Sequence, residues 1–137
     1  MDLTVEQVNG RVPVTVLRLR GSLDASNFAQ LISKARELYS AGSQRLLLDL
    51  TDLGFMGSSG LVALRSIALL ARGAEPPDLE HGWAAFHALG QDRGSGAQPY
   101  VKLLNPHANI VRTLQVTGMT EFFEIYHDRQ AAVASFE

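Results

Sequence analysis

The 137-residue chain contains no cysteine. Disulfides, thiolate metal sites and a cysteine nucleophile are therefore excluded, and the composition fits a reducing compartment. Basic charge is not in excess. Twelve Lys and Arg stand against 14 Asp and Glu, a net charge of −2, so neither nucleic acid nor an anionic membrane is the expected partner. Long apolar runs are also missing: Leu61–Ala71 is the longest, is interrupted by Arg65, and is too short to span a bilayer. The opening MDLTVEQVNG has neither a basic start nor an apolar run, so no signal peptide is expected and the cytoplasm is the expected location. His81 and His87 are six residues apart, a spacing that does not bring them together on a helix. Neither a metal site nor a cofactor is expected, and there is no internal repeat.

What is present is an ordinary folded composition, 46% apolar and 19% charged, which predicts one domain over residues 1–137. The chain is organised around Leu46–Leu64, LLLDLTDLGFMGSSGLVAL. Leu46–Leu50 reads as a strand buried on both faces. Thr51–Gly57 reads as a turn anchored by Phe55 and Met56. Ser58, Ser59 and Gly60 open a helix expected to run to Arg72.

Before this stretch, Leu3–Val8 and Val12–Arg20 read as an antiparallel pair joined at Asn9-Gly10. In the second, Leu17 and Leu19 alternate with Arg18 and Arg20, while Val14 and Val16 are out of phase, which indicates a bulge or burial on both faces. A helix is expected to start at Asp24 or Ser26, either of which can cap it. It would carry an apolar stripe of Phe28, Leu31, Ile32, Ala35 and Leu38, and stop at Gly42. Gly73–Pro99 is broken by eight Gly and Pro residues and reads as an insertion, with a short helix at Leu79–Leu89 that holds Trp83. Tyr100–Leu104 is strand-like. Asn105 and Pro106 then read as cap and first residue of a helix ending at Gly118. Phe122–Tyr126 reads as a last strand, and Asp128–Phe136 as a helix capped by Asp128. The order β-β-α-β-α-(insertion)-β-α-β-α predicts an α/β fold: one mixed sheet, parallel at its core with an antiparallel N-terminal strand, covered by about four helices.

Several chemistries fail on the residues. Gly57-Ser58-Ser59-Gly60 falls one residue short of the Gly-x-Ser-x-Gly elbow of serine hydrolases, and nothing ties a histidine to the serine. A nucleotide-binding P-loop needs a Gly-Lys-Ser/Thr ending, and no lysine stands near Ser58. Asp49 and Asp52 flank the central turn, where solvated carboxylates are ordinary. What remains is a serine at a helix start, where free N–H groups and the helix dipole favour a phosphate. On the helix after it, Val62, Arg65, Ser66, Leu69 and Arg72 share the face opposite Leu61, Leu64 and Ile67. Val62 and Leu69 are then apolar residues on a face expected to look at water, which reads either as ordinary exposure or as a partner surface.

LLLDLTDLGFMGSSGLVAL resembles the signature of STAS domains, the anti-sigma-factor antagonist family. Gly21-Ser22-Leu23-Asp24 resembles the family's Gly-x-Leu-Asp turn, and Asn105-Pro106 and LQVTGMTEFF (Leu114–Phe123) resemble its late segment. The resemblance covers nearly the whole chain except residues 73–99. It implies a non-enzymatic module in which Ser58 is the phosphoacceptor, Ser59 the second hydroxyl, and Asp24 an acid near the acceptor. With the α-helical face above, the expected anti-sigma-factor contact is a surface of Asp24, Gly57, Ser58, Ser59, Val62, Arg65, Ser66 and Leu69. That partner would be a serine kinase of the histidine-kinase-like ATPase type: binding frees a sigma factor, phosphorylation of Ser58 releases the partner, and a serine phosphatase resets it. Gly57 departs from the family pattern, which has Asp beside the acceptor. A second reading keeps the fold as a scaffold or small-ligand sensor without phosphorylation, with the Trp83 region as its distinctive part. A third, an enzyme acting through Ser58, predicts labelling by a serine-directed phosphonate.

Overall fold

The structure, a computed structural model, describes residues 1–71 and 100–136. The Gly/Pro-rich insertion expected at residues 73–99, with Trp83, and the expected helix residue Arg72 lie outside the described residues. The described elements are β1 (Asp2–Asn9), β2 (Pro13–Leu23), α1 (Phe28–Ser40), β3 (Leu46–Met56), α2 (Ser58–Ala71), β4 (Val101–Leu104), α3 (Ala108–Val116), β5 (Ile125–Tyr126) and α4 (Arg129–Ser135). The five strands form one sheet in sequence order. β1 runs antiparallel to β2, and β2, β3, β4 and β5 run parallel to one another. This is the mixed sheet with four helices that the element order predicts.

The valines and leucines of β2 are buried on both faces of the sheet. Leu17 and Leu19 join Leu46, Leu48 and Leu50 of β3 in a core shared with α1, α2 and α3. Val14 and Val16 point the other way, into a smaller core with Leu47, Leu104 and α4's Ala132 and Val133, closed by Phe136. With 7 residues, α4 is about 10 Å long and covers only one end of that face. Where it stops, the same strand positions switch from valine to Arg18 and Arg20. The bulge allowed by the sequence is present as well: the β2–β3 register shifts between Arg18 and Arg20 and again between Gly21 and Ser22.

Several local expectations are corrected by tertiary contacts. β3 does not end at Leu50 but continues to Met56, because β2 pairs with it as far as Leu23↔Met56; the turn shrinks to Gly57. Of its two expected anchors, Met56 is buried and Phe55 is 52% exposed. Helix α1 starts later than Asp24 or Ser26, with Asn27 as its N-cap residue. Asn105-Pro106 does not cap α3, whose N-cap residue is His107; Asn105 instead takes a left-handed φ of 55°, which asparagine tolerates better than most residues. The last strand is only Ile125–Tyr126, since Phe122 and Phe123 follow a 3-10 turn at Met119–Glu121 and are buried as core. The stops at Gly42 and Gly118 hold: both have positive φ, and Ser43 N donates to Leu38 O while Gly42 N donates to Tyr39 O, closing α1. Asp128 caps α4 as expected, its carboxylate accepting from Ala131 N at 3.1 Å.

Asp49 is not a solvated turn carboxylate. It is 4% exposed and accepts from Thr51 N at 3.0 Å, Thr51 Oγ1 at 2.6 Å and Arg18 Nε at 3.3 Å. Asp52 is exposed, as expected. Asp49→Ala should lower stability by about 1–2 kcal/mol, because it removes a buried carboxylate that accepts three hydrogen bonds from Thr51 and Arg18. Arg18→Ala, which removes a side chain 44% exposed, should cost less than about 1 kcal/mol. Urea midpoints of the two variants check the order.

Candidate functional site

The site forms where β3 meets α2. A single residue, Gly57, connects them, and its N–H donates to Leu23 O at 2.9 Å while its carbonyl accepts from Gly60 N at 2.9 Å. The end of β2 and the start of α2 are thereby joined through the backbone. Gly60 is buried at a close approach: a Cβ there would collide with Met56 Cγ and lie 3.1 Å from Leu23 Cδ2, so the first turn of α2 can sit this low only on a glycine. Ser58 is exposed and Ser59 half-buried, at the helix end where the peptide dipole is positive and backbone N–H groups lack intrahelical partners.

Asp24 stands directly after Leu23 and therefore beside Gly57. Its carboxylate accepts from the Ser26 hydroxyl at 2.5 Å and from the Ser26 N–H at 2.9 Å. The hydroxyl first, and then the amide, hold the Asp24 carboxyl below its ordinary pKa range. Asn27 tightens the same loop, accepting from Asp24 N at 2.9 Å and donating to Ser22 O at 2.8 Å. The acid is thus held in a fixed local geometry at the edge of the site.

The predicted surface along α2 divides. Val62 and Leu69 are half-buried and reach the surface. Arg65 and Ser66 do not: they are 2% and 0% exposed. The helical wheel puts them opposite the core stripe, but α2 packs against α1 and also against the segment after α3. There the Arg65 guanidinium lies 4.0 Å from the centre of the Phe122 ring, an attraction that strengthens when the pair is desolvated. The accessible surface therefore comprises Ser58, half-buried Gly57, Ser59, Val62 and Leu69, the Asp24 loop, and one residue not assigned to it from sequence, Phe55.

Gly57 is not among the glycines with positive φ. A Cβ placed on it would lie 3.6 Å from Phe55 Cε1 and 3.9 Å from Leu23 O, ordinary contact distances. The turn does not require a glycine here. Among the described residues, no group of His, Asp and Glu is placed to hold a metal, and no helix is long and apolar enough to cross a membrane.

An antiparallel first strand, four mutually parallel strands after it and a serine at the β3–α2 junction define a small α/β fold. The chain belongs to the STAS domain family, whose model matches residues 5–74, about half of the chain. Over 137 residues it is 25% identical to BtrV of Bordetella bronchiseptica, a protein named for anti-sigma factor antagonism, covering 100% of this chain and 96% of that one. In structure it is similar to a Thermotoga maritima protein likewise named for anti-sigma factor antagonism (TM-score 0.69, 16% identity, 95% of this chain and 90% of that chain). It is also similar to the Bacillus cell fate determinant SpoIIAA in its phosphorylated form (TM-score 0.53, 19% identity, 96% of each chain).

The lowered pKa of Asp24 has a pH consequence. Its contribution to the loop is complete above the unfolded carboxylate range and is lost as pH falls through the lowered folded value. Ser26→Ala should move the Asp24 titration back up toward the ordinary carboxylate value, as followed by carboxyl carbon NMR shifts. An unchanged titration would show that Ser26 does not hold the acid.

Proposed function

We propose that this STAS domain is an anti-sigma factor antagonist, a binding module rather than an enzyme. It binds an anti-sigma factor that is also a serine kinase of the histidine-kinase-like ATPase type, and Ser58 is its phosphorylation switch, reset by a serine phosphatase. The observation that carries this reading is the placement of Ser58: an exposed hydroxyl on the first residue of α2, one residue after a strand that is hydrogen-bonded into the sheet. The name of the Bordetella relative and the phosphorylated form of the Bacillus one support it.

The physics of the switch follows from the position. A phosphate on Ser58 adds about −1.5 to −2 charges at pH 7. At the positive end of α2 the domain tolerates this charge. At a contact that also uses the half-buried Val62 and Leu69, the same charge makes desolvation costly and repels an acidic partner. Binding is lost with little change of fold. In this reading Asp24 is the acid near the acceptor and Ser59 a second hydroxyl.

Peptide-level mass analysis of the protein purified from its host should find phosphate on Ser58, with an ATPase-type kinase co-purifying. Absence of both would overturn the assignment. Val62→Asp combined with Leu69→Asp should abolish binding of that kinase while the circular dichroism spectrum and urea midpoint stay near wild type. Retained binding would remove α2 from the contact surface. Gly57→Asp should fold with a urea midpoint close to wild type, because the space and backbone geometry accept a side chain; a large loss of stability would contradict this.

A further inference from the structure

The half of β3 that leads to Ser58 is longer than its neighbour. β4 has 4 residues and pairs with β3 only as far as Asp49↔Leu104. From Thr51 to Met56, β3 keeps β2 on one side and, among the described residues, has no strand on the other. Backbone carbonyls along such an edge need partners. One segment supplies them with side chains. Asn105 Nδ2 donates to Thr51 Oγ1 at 3.3 Å, His107 Nε2 lies 2.6 Å from Thr51 O, and Asn109 Nδ2 donates to Gly54 O at 3.1 Å. A carbonyl only accepts, so Nε2 of His107 carries a proton in this contact, in the neutral and the charged ring alike.

We infer that His107 and Asn109 are positioning residues for the Ser58 turn: they take the place of a missing β4 extension and hold Thr51–Met56 against the sheet. Three features of the segment fit this role. Asn105 is the one non-glycine residue with positive φ among the described residues; its N–H still donates to Tyr126 O, after which the chain turns from β4 across the end of β3. His107 is the N-cap residue of α3 but makes no side-chain capping bond, because its ring is turned to Thr51. Asn109, in the first turn of α3, reaches Gly54, three residues before the Gly57 connection. Thr51 also donates to the buried Asp49, so the clamp is continuous with the interior of the sheet. The acceptor turn and the start of α3 are thereby coupled, and a change in either is felt by the other. The consequence for phosphorylation rests on the reading of Ser58 given above; the clamp itself does not.

The test separates the two. Amide hydrogen exchange is measured by mass spectrometry on the full chain as wild type, Asn109→Ala, His107→Ala and His107→Gln, the last keeping an N–H donor for Thr51 O. Each alanine variant should exchange about three- to tenfold faster in peptides covering residues 51–60, the range expected for loss of one hydrogen bond. Peptides of α1 should stay at the wild-type rate, and His107→Gln should restore protection. Unchanged exchange at 51–60, or equal acceleration in α1, overturns the inference. With the partner kinase, Asn109→Ala should slow phosphate transfer to Ser58 while His107→Gln keeps the wild-type rate. If exchange responds as expected but wild-type protein accepts no phosphate and binds no kinase, the clamp stands and the switch reading falls.

Discussion

The parallel pairing of β2 with β3 is the contact on which the rest of this structure depends. Half of β3 projects beyond β4, and without β2 alongside it the stretch from Thr51 to Met56 would be a loop. The pairing survives two register shifts and ends by delivering Leu23 O to the N–H of Gly57. That delivery sets the height at which α2 begins and brings the Asp24 loop to the same corner. A one-residue connection leaves α2 almost no freedom relative to the sheet, so the Ser58 hydroxyl is presented on a rigid support.

Rigidity continues along α2. A surface helix usually shows a dry face and a wet one. Here even Arg65 is buried, its guanidinium lying on the Phe122 ring. A helix held on so many sides does not shift readily when a charge is added at its start. The switch proposed above would work through surface chemistry: a phosphate on Ser58 would set a dianion beside half-buried apolar residues while the domain beneath it keeps its packing. The exposed Phe55 ring and the bare Gly57 next to it leave this corner open, where an acidic side chain would fit without strain.

The two cores divide the labour of the sheet. The larger one, under α1, α2 and α3, holds the elements that carry the site. The smaller one, under α4 and Phe136, closes the opposite face only at the end far from Ser58. Farther along β2 the same face carries Arg18 and Arg20, and Arg18 donates to Asp49 of β3.

Much of this was legible in the residues. The order of strands and helices, the mixed sheet, the two-faced burial of β2, the stops at Gly42 and Gly118, the Asp128 cap and the start of α2 at Ser58 all follow from local rules: periodicity, capping and glycine conformation act over a few residues and leave marks in the sequence. Other features had no such mark. That β3 continues past Leu50 depends on a partner strand 30 or so positions earlier, about as far as Arg18 lies from Asp49 (|i−j| of 31). That Asn105 and His107 serve Thr51 instead of α3 is decided by contacts spanning 54 and 56 positions, and a local reading gives both side chains to the nearest helix end. That Arg65 lies inside reflects the Phe122 ring that packs on α2 from the segment after α3, which no helical wheel includes. The sequence by itself determined which elements form and where Ser58 stands among them, because those choices are made by short-range sterics and hydrogen bonding. Only the tertiary structure decided which side chains surround that serine and which of its expected neighbours are buried, because burial belongs to pairs of elements and not to any one of them.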